Sequence, residues 1–100
     1  MRLAAPRKKS LWNGLMSYKI ELSKAAQKDI HNLKAARLYE KAVKIRDVLQ
    51  HTPYPINSKQ LNWDLKGRRS IRISLQHRLV YEVIEEEKLI KVLRMWGYYE

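Results

Sequence analysis

The chain has 100 residues, 45% of them hydrophobic, enough for one globular domain with a single core. Twenty-one Lys and Arg oppose ten Asp and Glu, a net charge of +11, which favours polyanions such as nucleic acid, or an acidic protein, as partners. The absence of cysteine excludes disulfides and thiolate metal sites, the three His form no close pair that suggests zinc, and no apolar run approaches the ~20 residues of a membrane span.

Residues 1–16, "MRLAAPRKKSLWNGLM", carry Arg2, Arg7, Lys8 and Lys9, no acid, and apolar residues without a period. No apolar h-region of a secretory signal follows the basic start. The stretch is expected to be a disordered basic extension upstream of a domain spanning 17–100. Subtracting its four basic residues leaves +7, so the basic character belongs to the domain.

"SYKIELS" (17–23) alternates Tyr18, Ile20 and Leu22 against Lys19 and Glu21, the pattern of a first strand. Ser23 is placed to cap a helical stretch from Lys24 to about Gln50. Ala26, Ile30 and Leu33 form one apolar stripe. Leu38, Ala42, Ile45 and Leu49 form a second. A break is expected near Lys34–Ala36, giving a helical hairpin, and Pro53 and Pro55 in "HTPYP" end it. Residues 56–67 read as a loop with a short extended piece and a turn at Lys66–Gly67. Three strands follow, over 68–74, 77–85 and 88–96, joined by short polar turns, one of them "EEE" (85–87). In the last strand, strict alternation places Leu89, Lys91, Leu93 and Met95 on one face and Ile90, Val92, Arg94 and Trp96 on the other. The expected fold is α+β: an antiparallel sheet of about four strands, in the order β-α-α-β-β-β, with the two-helix hairpin packed on one face.

The stretch 59–78 concentrates Lys59, Lys66, Arg68, Arg69, Arg72 and Arg78 against Asp64 alone. Arg72 and Arg78 sit on adjacent strands either side of a tight turn, and Arg94 joins them if the register permits. Like charges opposed across strands repel, an arrangement that makes sense where an anion such as an RNA phosphate binds. His77 reads as a turn residue. The chain end, "WGYYE", adds Trp96, Tyr98 and Tyr99. An aromatic ring can stack on a base, and a phenol beside arginines can move a proton. Gly97 permits the positive φ that would swing the two tyrosines off the strand line.

The segment "RRSIRISLQHRLVYEVIEEEKLIKVLRMWGYYE" resembles toxins of the RelE/YoeB (Txe) superfamily of bacterial toxin–antitoxin pairs. "HRLVYEV" carries the resemblance most sharply, with "SKAAQKDI" after a first strand and the terminal "YYE" in support. It covers about residues 17–100. It implies a small RelE-like fold and ribosome-dependent, metal-independent cleavage of messenger RNA, with no cofactor. It further implies cytoplasmic action on the ribosome and its message, and an acidic cognate antitoxin forming a toxin–antitoxin hetero-oligomer, with no membrane role. By position, Arg72 and Arg78 match the phosphate-contacting arginines, and Tyr99 the terminal aromatic that orients substrate. The family's general-base carboxylate falls at Lys59, a nearby basic residue at Asn62, and a histidine before the last tyrosine at Tyr98. The resemblance and the strand positions together point to Tyr98, Lys59 and Arg78 for catalysis and to Arg72, Arg78, Arg94 and Tyr99 for substrate. The alternatives are a gyrase-poisoning toxin of the ParE type and a catalytically weakened RNA-binding member of the same fold. Removing residues 1–15 is expected to leave the thermal midpoint and the toxicity of the chain unchanged, since that stretch has no apolar period to give to a core. A truncated chain that fails to fold or to kill would assign the extension a role.

Overall fold

The computed structural model describes residues 17–61 and 67–97. The expectations for residues 1–16, Asn62, Lys66, Tyr98 and Tyr99 fall outside that range.

Strand β1 (Lys19–Leu22) leads into helix α1 (Lys24–Ala35) and helix α2 (Tyr39–His51). The two-residue strand β2 (Lys59–Gln60) is followed by β3 (Arg69–Arg72), β4 (Arg78–Ile84), a 3-10 turn at Glu85–Glu87, and β5 (Leu89–Arg94). The Ser23 hydroxyl accepts from the Ala26 amide at 3.0 Å and donates to the Leu93 carbonyl at 2.8 Å. The helix cap therefore also pins α1 to β5. The hairpin breaks at Ala36–Leu38, just after the expected place, through Arg37 at φ 60°. A left-handed non-glycine residue costs ~1–2 kcal/mol. The Leu38 amide, which bonds the Leu33 carbonyl at 2.8 Å, helps hold it there.

The sheet has five strands in the order β1-β5-β4-β3-β2. The short extended piece expected in the loop is the fifth strand, at one edge. Three of the pairings are antiparallel, but β1 runs parallel to β5, with Lys19 opposite Leu89 and Leu22 opposite Val92. This corrects the expectation of a wholly antiparallel sheet. Parallel neighbours need a long crossover, and the helical hairpin together with β2–β4 supplies it. The core lies between sheet and helices. Ala26, Leu33, Ala42 and Leu49 meet Ile71, Ile73, Leu79, Tyr81, Ile90, Val92 and Met95. The buried Tyr81 phenol donates to the Pro53 carbonyl at 2.8 Å, which satisfies it and ties the chain after α2 to the sheet.

A second correction concerns β5. The register steps from Tyr81↔Val92 to Val80↔Arg94, leaving Leu93 as an extra residue. A bulge of this kind reverses the alternation beyond it. Ile90 and Val92 therefore face the core together with Met95, and Arg94 does not follow them inward. Arg94 instead donates from Nε and Nη2 to the two carboxylate oxygens of Asp29, at 2.9 and 3.1 Å. Asp29 is 3% exposed and also accepts from the Met95 amide at 2.8 Å.

At the far end of β4, three segments meet on one carboxylate. Tyr18 donates to Glu85 Oε1 at 2.8 Å, and Tyr54 donates to Oε2. Lys88 lies over the Tyr18 ring at 5.1 Å and Arg69 over the Tyr54 ring at 5.4 Å. Burial, then the bond and charge of Glu85, push the Tyr54 phenol up from 10.0 to about 12. The bonds from Tyr54 and Tyr18 hold Glu85 below its ordinary value. No described helix is long and apolar enough to cross a membrane.

Two predictions follow from these bonds. Asp29→Ala removes the buried carboxylate that accepts from Arg94 and the Met95 amide and is expected to cost about 2–4 kcal/mol, read as a lowered urea midpoint at unchanged m-value. An unaltered midpoint would show that water replaces the carboxylate at no cost. The phenol of Tyr54 is raised in the fold, so its contribution is complete below pH 10 and is lost as pH rises towards about 12. Glu85 is lowered, so its contribution is complete above its ordinary value of 4.5 and is lost as pH falls. Urea midpoints measured across pH should therefore fall less at the alkaline end in Tyr54→Phe and less at the acid end in Glu85→Gln than in the parent. Parallel curves would remove these bonds from the stability balance.

Candidate functional site

The site starts from the β3–β4 hairpin. The His77 carbonyl accepts from the amides of Ile73, at 2.8 Å, and Ser74, at 3.1 Å, and closes the turn. Arg72 and Arg78 then face each other directly in the antiparallel register. Residues opposed in this way share a sheet face. Because Ile71, Ile73, Leu79 and Tyr81 point to the helices, Arg72 and Arg78 lie on the other face. Lys59 is opposite Ser70, two residues before Arg72, and so belongs to that face too. Three cations from three strands are thus placed together, two of them the residues the sequence singled out as opposed arginines.

They are not equivalent. Arg72 and Lys59 are exposed, whereas Arg78 is 7% exposed and donates from Nε to the hydroxyl of the fully buried Ser70 at 3.0 Å. The Ser70 hydroxyl therefore fixes the orientation of the inner guanidinium. Val80, next along the same face, is also buried without belonging to the main core. The face therefore has a recessed inner cation and an exposed outer pair.

Among the described residues, Arg68, Arg69 and Arg94 are drawn elsewhere. Arg69 donates from Nε and Nη2 to the Ser58 hydroxyl at 3.0 and 2.8 Å. Arg68 pairs with Glu82 at 3.5 Å. Arg94 lies opposite Val80, one step from the pair, but its guanidinium forks onto Asp29, so a phosphate role does not follow from its geometry.

The end of the described chain returns to this place. The Gly97 carbonyl accepts from the Arg78 amide at 2.8 Å, and the Gly97 amide donates to Nδ1 of His77 at 3.0 Å. The His77 ring stacks on Trp96, with centroids 3.6 Å apart and planes at 19°. Gly97 has φ 114°, the positive value expected of it, which side-chain-bearing residues rarely adopt. Tyr98 and Tyr99, bonded next in the sequence, lie outside the described residues.

Sequence reasoning missed Ser70, Asp29 and the bond from Gly97 to His77. Asp29 left a signal: it sits three residues after Ala26 and four before Leu33, on the buried stripe of α1, where an acid needs a partner. Ser70 left a weaker one, as a small polar residue two before Arg72. Nothing local announces that His77 meets the chain end twenty residues later. Chemically, the face can hold an oxyanion between Lys59, Arg72 and Arg78. Among the described residues no group of three His, Asp or Glu is placed to hold a metal ion.

A profile of the family described as ParE toxin of type II toxin–antitoxin system, parDE, matches residues 20–97. No curated protein sequence matches the chain. Among solved structures, it is similar to a YoeB/ParE toxin from Agrobacterium tumefaciens, at 25% identity and TM-score 0.72, covering 81% of this chain and 99% of that one. It shares its fold with the YoeB dimer from Staphylococcus aureus, at 24% identity and TM-score 0.69, with 83% and 99% covered. The same holds for the archaeal RelE–RelB complex from Pyrococcus horikoshii, at 24% identity and TM-score 0.67, with 82% and 96% covered. Over residues 20–97, which take in both helices and the returning end at Gly97, the chain belongs to the ParE family of toxins, within the RelE/YoeB superfamily of type II toxin–antitoxin systems.

Proposed function

We propose that this toxin is a messenger-RNA endoribonuclease that acts on the ribosome. The observation that carries the proposal is the Arg72–Arg78 pair, opposed in register, with Arg78 seated on Ser70 and its own amide bonded to the carbonyl of Gly97. Two like charges placed face to face work against folding. A phosphodiester between them would turn that repulsion into binding.

The chemistry that fits is internal transfer. The ribose 2′-oxygen loses its proton to a base and attacks the adjacent phosphorus, and the P–O5′ bond breaks as the 5′-oxygen gains a proton. A 2′,3′-cyclic phosphate and a 5′-hydroxyl result. Arg72 and Arg78 would hold the phosphate as charge builds on its oxygens. Tyr98, next after Gly97, is the proton-transfer group in this proposal, Tyr99 orients the substrate, and Lys59 is the further cation on the same face. A substrate presented on the ribosome implies cytoplasmic action.

The partner proposed is an acidic antitoxin that neutralises the basic surface in a hetero-oligomer. The net charge of +11 supports it, as does the capture of the Pyrococcus horikoshii relative in a complex with RelB. The family description, which names parDE, favours one second function: poisoning of DNA gyrase without cutting RNA.

Primer extension on ribosome-bound message tests the proposal. The parent chain should produce cleavage ends. Arg72→Ala, an exposed position, should reduce the rate about 100-fold or more without loss of folding. Tyr98→Phe keeps the ring but removes the proton, and should cost at least roughly 100-fold, with Tyr99→Phe costing less. A folded parent chain that produces no ends but stalls gyrase supercoiling would establish the second function instead. Near-normal cleavage by Tyr98→Phe would move proton transfer to another group, with Lys59 first in line.

A further inference from the structure

We infer that His77 is a positioning residue: its neutral ring holds Gly97 in place beside the Arg72–Arg78 pair and so sets where the terminal tyrosines begin. The inference rests on the nuclease proposal for its functional consequence, and on geometry alone for the anchoring.

His77 is well placed to act as a fixed post. Its carbonyl closes the β3–β4 turn with two amide bonds, so its backbone is held by the sheet. Its ring lies flat on Trp96 at 3.6 Å, so its side chain is held by the residue just before the glycine. A nitrogen that accepts the Gly97 N–H has its lone pair directed there. The ring proton of the neutral imidazole therefore sits on Nε2, and the Nδ1-protonated forms are incompatible with the bond.

Gly97 is thereby gripped at both polar groups of its backbone: its amide by the His77 ring, its carbonyl by the Arg78 amide. Its φ of 114° turns the chain at that point. Without the imidazole acceptor, one of the two bonds that hold Gly97 is gone. With Nδ1 occupied by Gly97 and one ring face by Trp96, the role assigned to His77 is to hold Gly97.

Two substitutions separate this role from simple packing. Phe at position 77 keeps a flat ring for Trp96 and removes the acceptor. Asn removes the ring but places an oxygen near where Nδ1 stood. In the full-length wild-type chain, nitrogen NMR should show Nδ1 unprotonated and Nε2 protonated. The Gly97 amide should exchange with solvent about tenfold faster in His77→Phe than in wild type, and near the wild-type rate in His77→Asn. On ribosome-bound message, His77→Phe should lower kcat roughly 10–100-fold with KM unchanged, and His77→Asn should recover most of that loss. A wild-type ring protonated on Nδ1, a Gly97 amide that exchanges equally in His77→Phe, or an Asn variant no better than Phe would each overturn the positioning role. A wild-type chain that shows the predicted tautomer and slow exchange but cuts no message would overturn the nuclease proposal and leave the anchoring established.

Discussion

The carboxylate of Asp29 is the constraint on which the placement of the site depends. It is nearly fully buried, and it receives both nitrogens of the Arg94 fork and the Met95 amide. Removing a charge from water is expensive, and only near-complete hydrogen bonding offsets that cost. Here the bonding comes from β5, so burying Asp29 on α1 forces the helix and the end of the last strand into one relative position. The bulge at Leu93 serves the same end. It sends Met95 into the core and leaves Arg94 free to reach Asp29. Trp96 and Gly97 follow immediately, and their meeting with His77 is a consequence of where Asp29 stops the strand.

The two faces of the sheet carry different loads. One buries Ile, Leu, Val and Tyr side chains against the helical hairpin and supplies most of the hydrophobic stabilisation. The other holds Lys59, Arg72 and Arg78 around a buried serine, an arrangement that adds repulsion rather than stability. The long central strand β4 connects them along its length. Its first residue is the inner arginine, and just beyond its last lies Glu85, which gathers Tyr18, Tyr54 and Lys88. The end remote from the site is thus clasped by tyrosine–carboxylate bonds, and the near end is committed to cations.

A shared fold does not decide between cutting RNA and binding a protein target, since both can be grafted on one frame. What separates them is the site. A surface that only docks on a partner has no need of a recessed guanidinium oriented by a buried hydroxyl, nor of a glycine held at both its amide and its carbonyl beside it. Those two features are the ones on which the nuclease proposal is built. The many other basic residues, spread over the helices and loops, suit the approach to a polyanion or an acidic antitoxin and carry no geometric specificity.

The sequence by itself determined the elements and, except at the end of β5, their faces. Alternation marked β1, β3 and β4, the two apolar stripes marked the hairpin, Ser23 announced its cap, and Gly97 announced a positive φ. These are local matters, decided by the 2.0 and 3.6 periods and by single-residue conformational freedom. Arg72 and Arg78 were also legible as a pair, because a tight turn leaves neighbours little choice of register. The tertiary structure decided everything that needs partners far apart in the chain: the parallel joining of β1 to β5, the bulge that breaks the alternation at Leu93, the capture of Arg94 by Asp29, and the bond from Gly97 to His77. Each is a choice among partners separated by 11 to 70 residues, and no periodicity records it; only the packed core, by fixing which backbone and side-chain groups lose water together, makes one partner the right one.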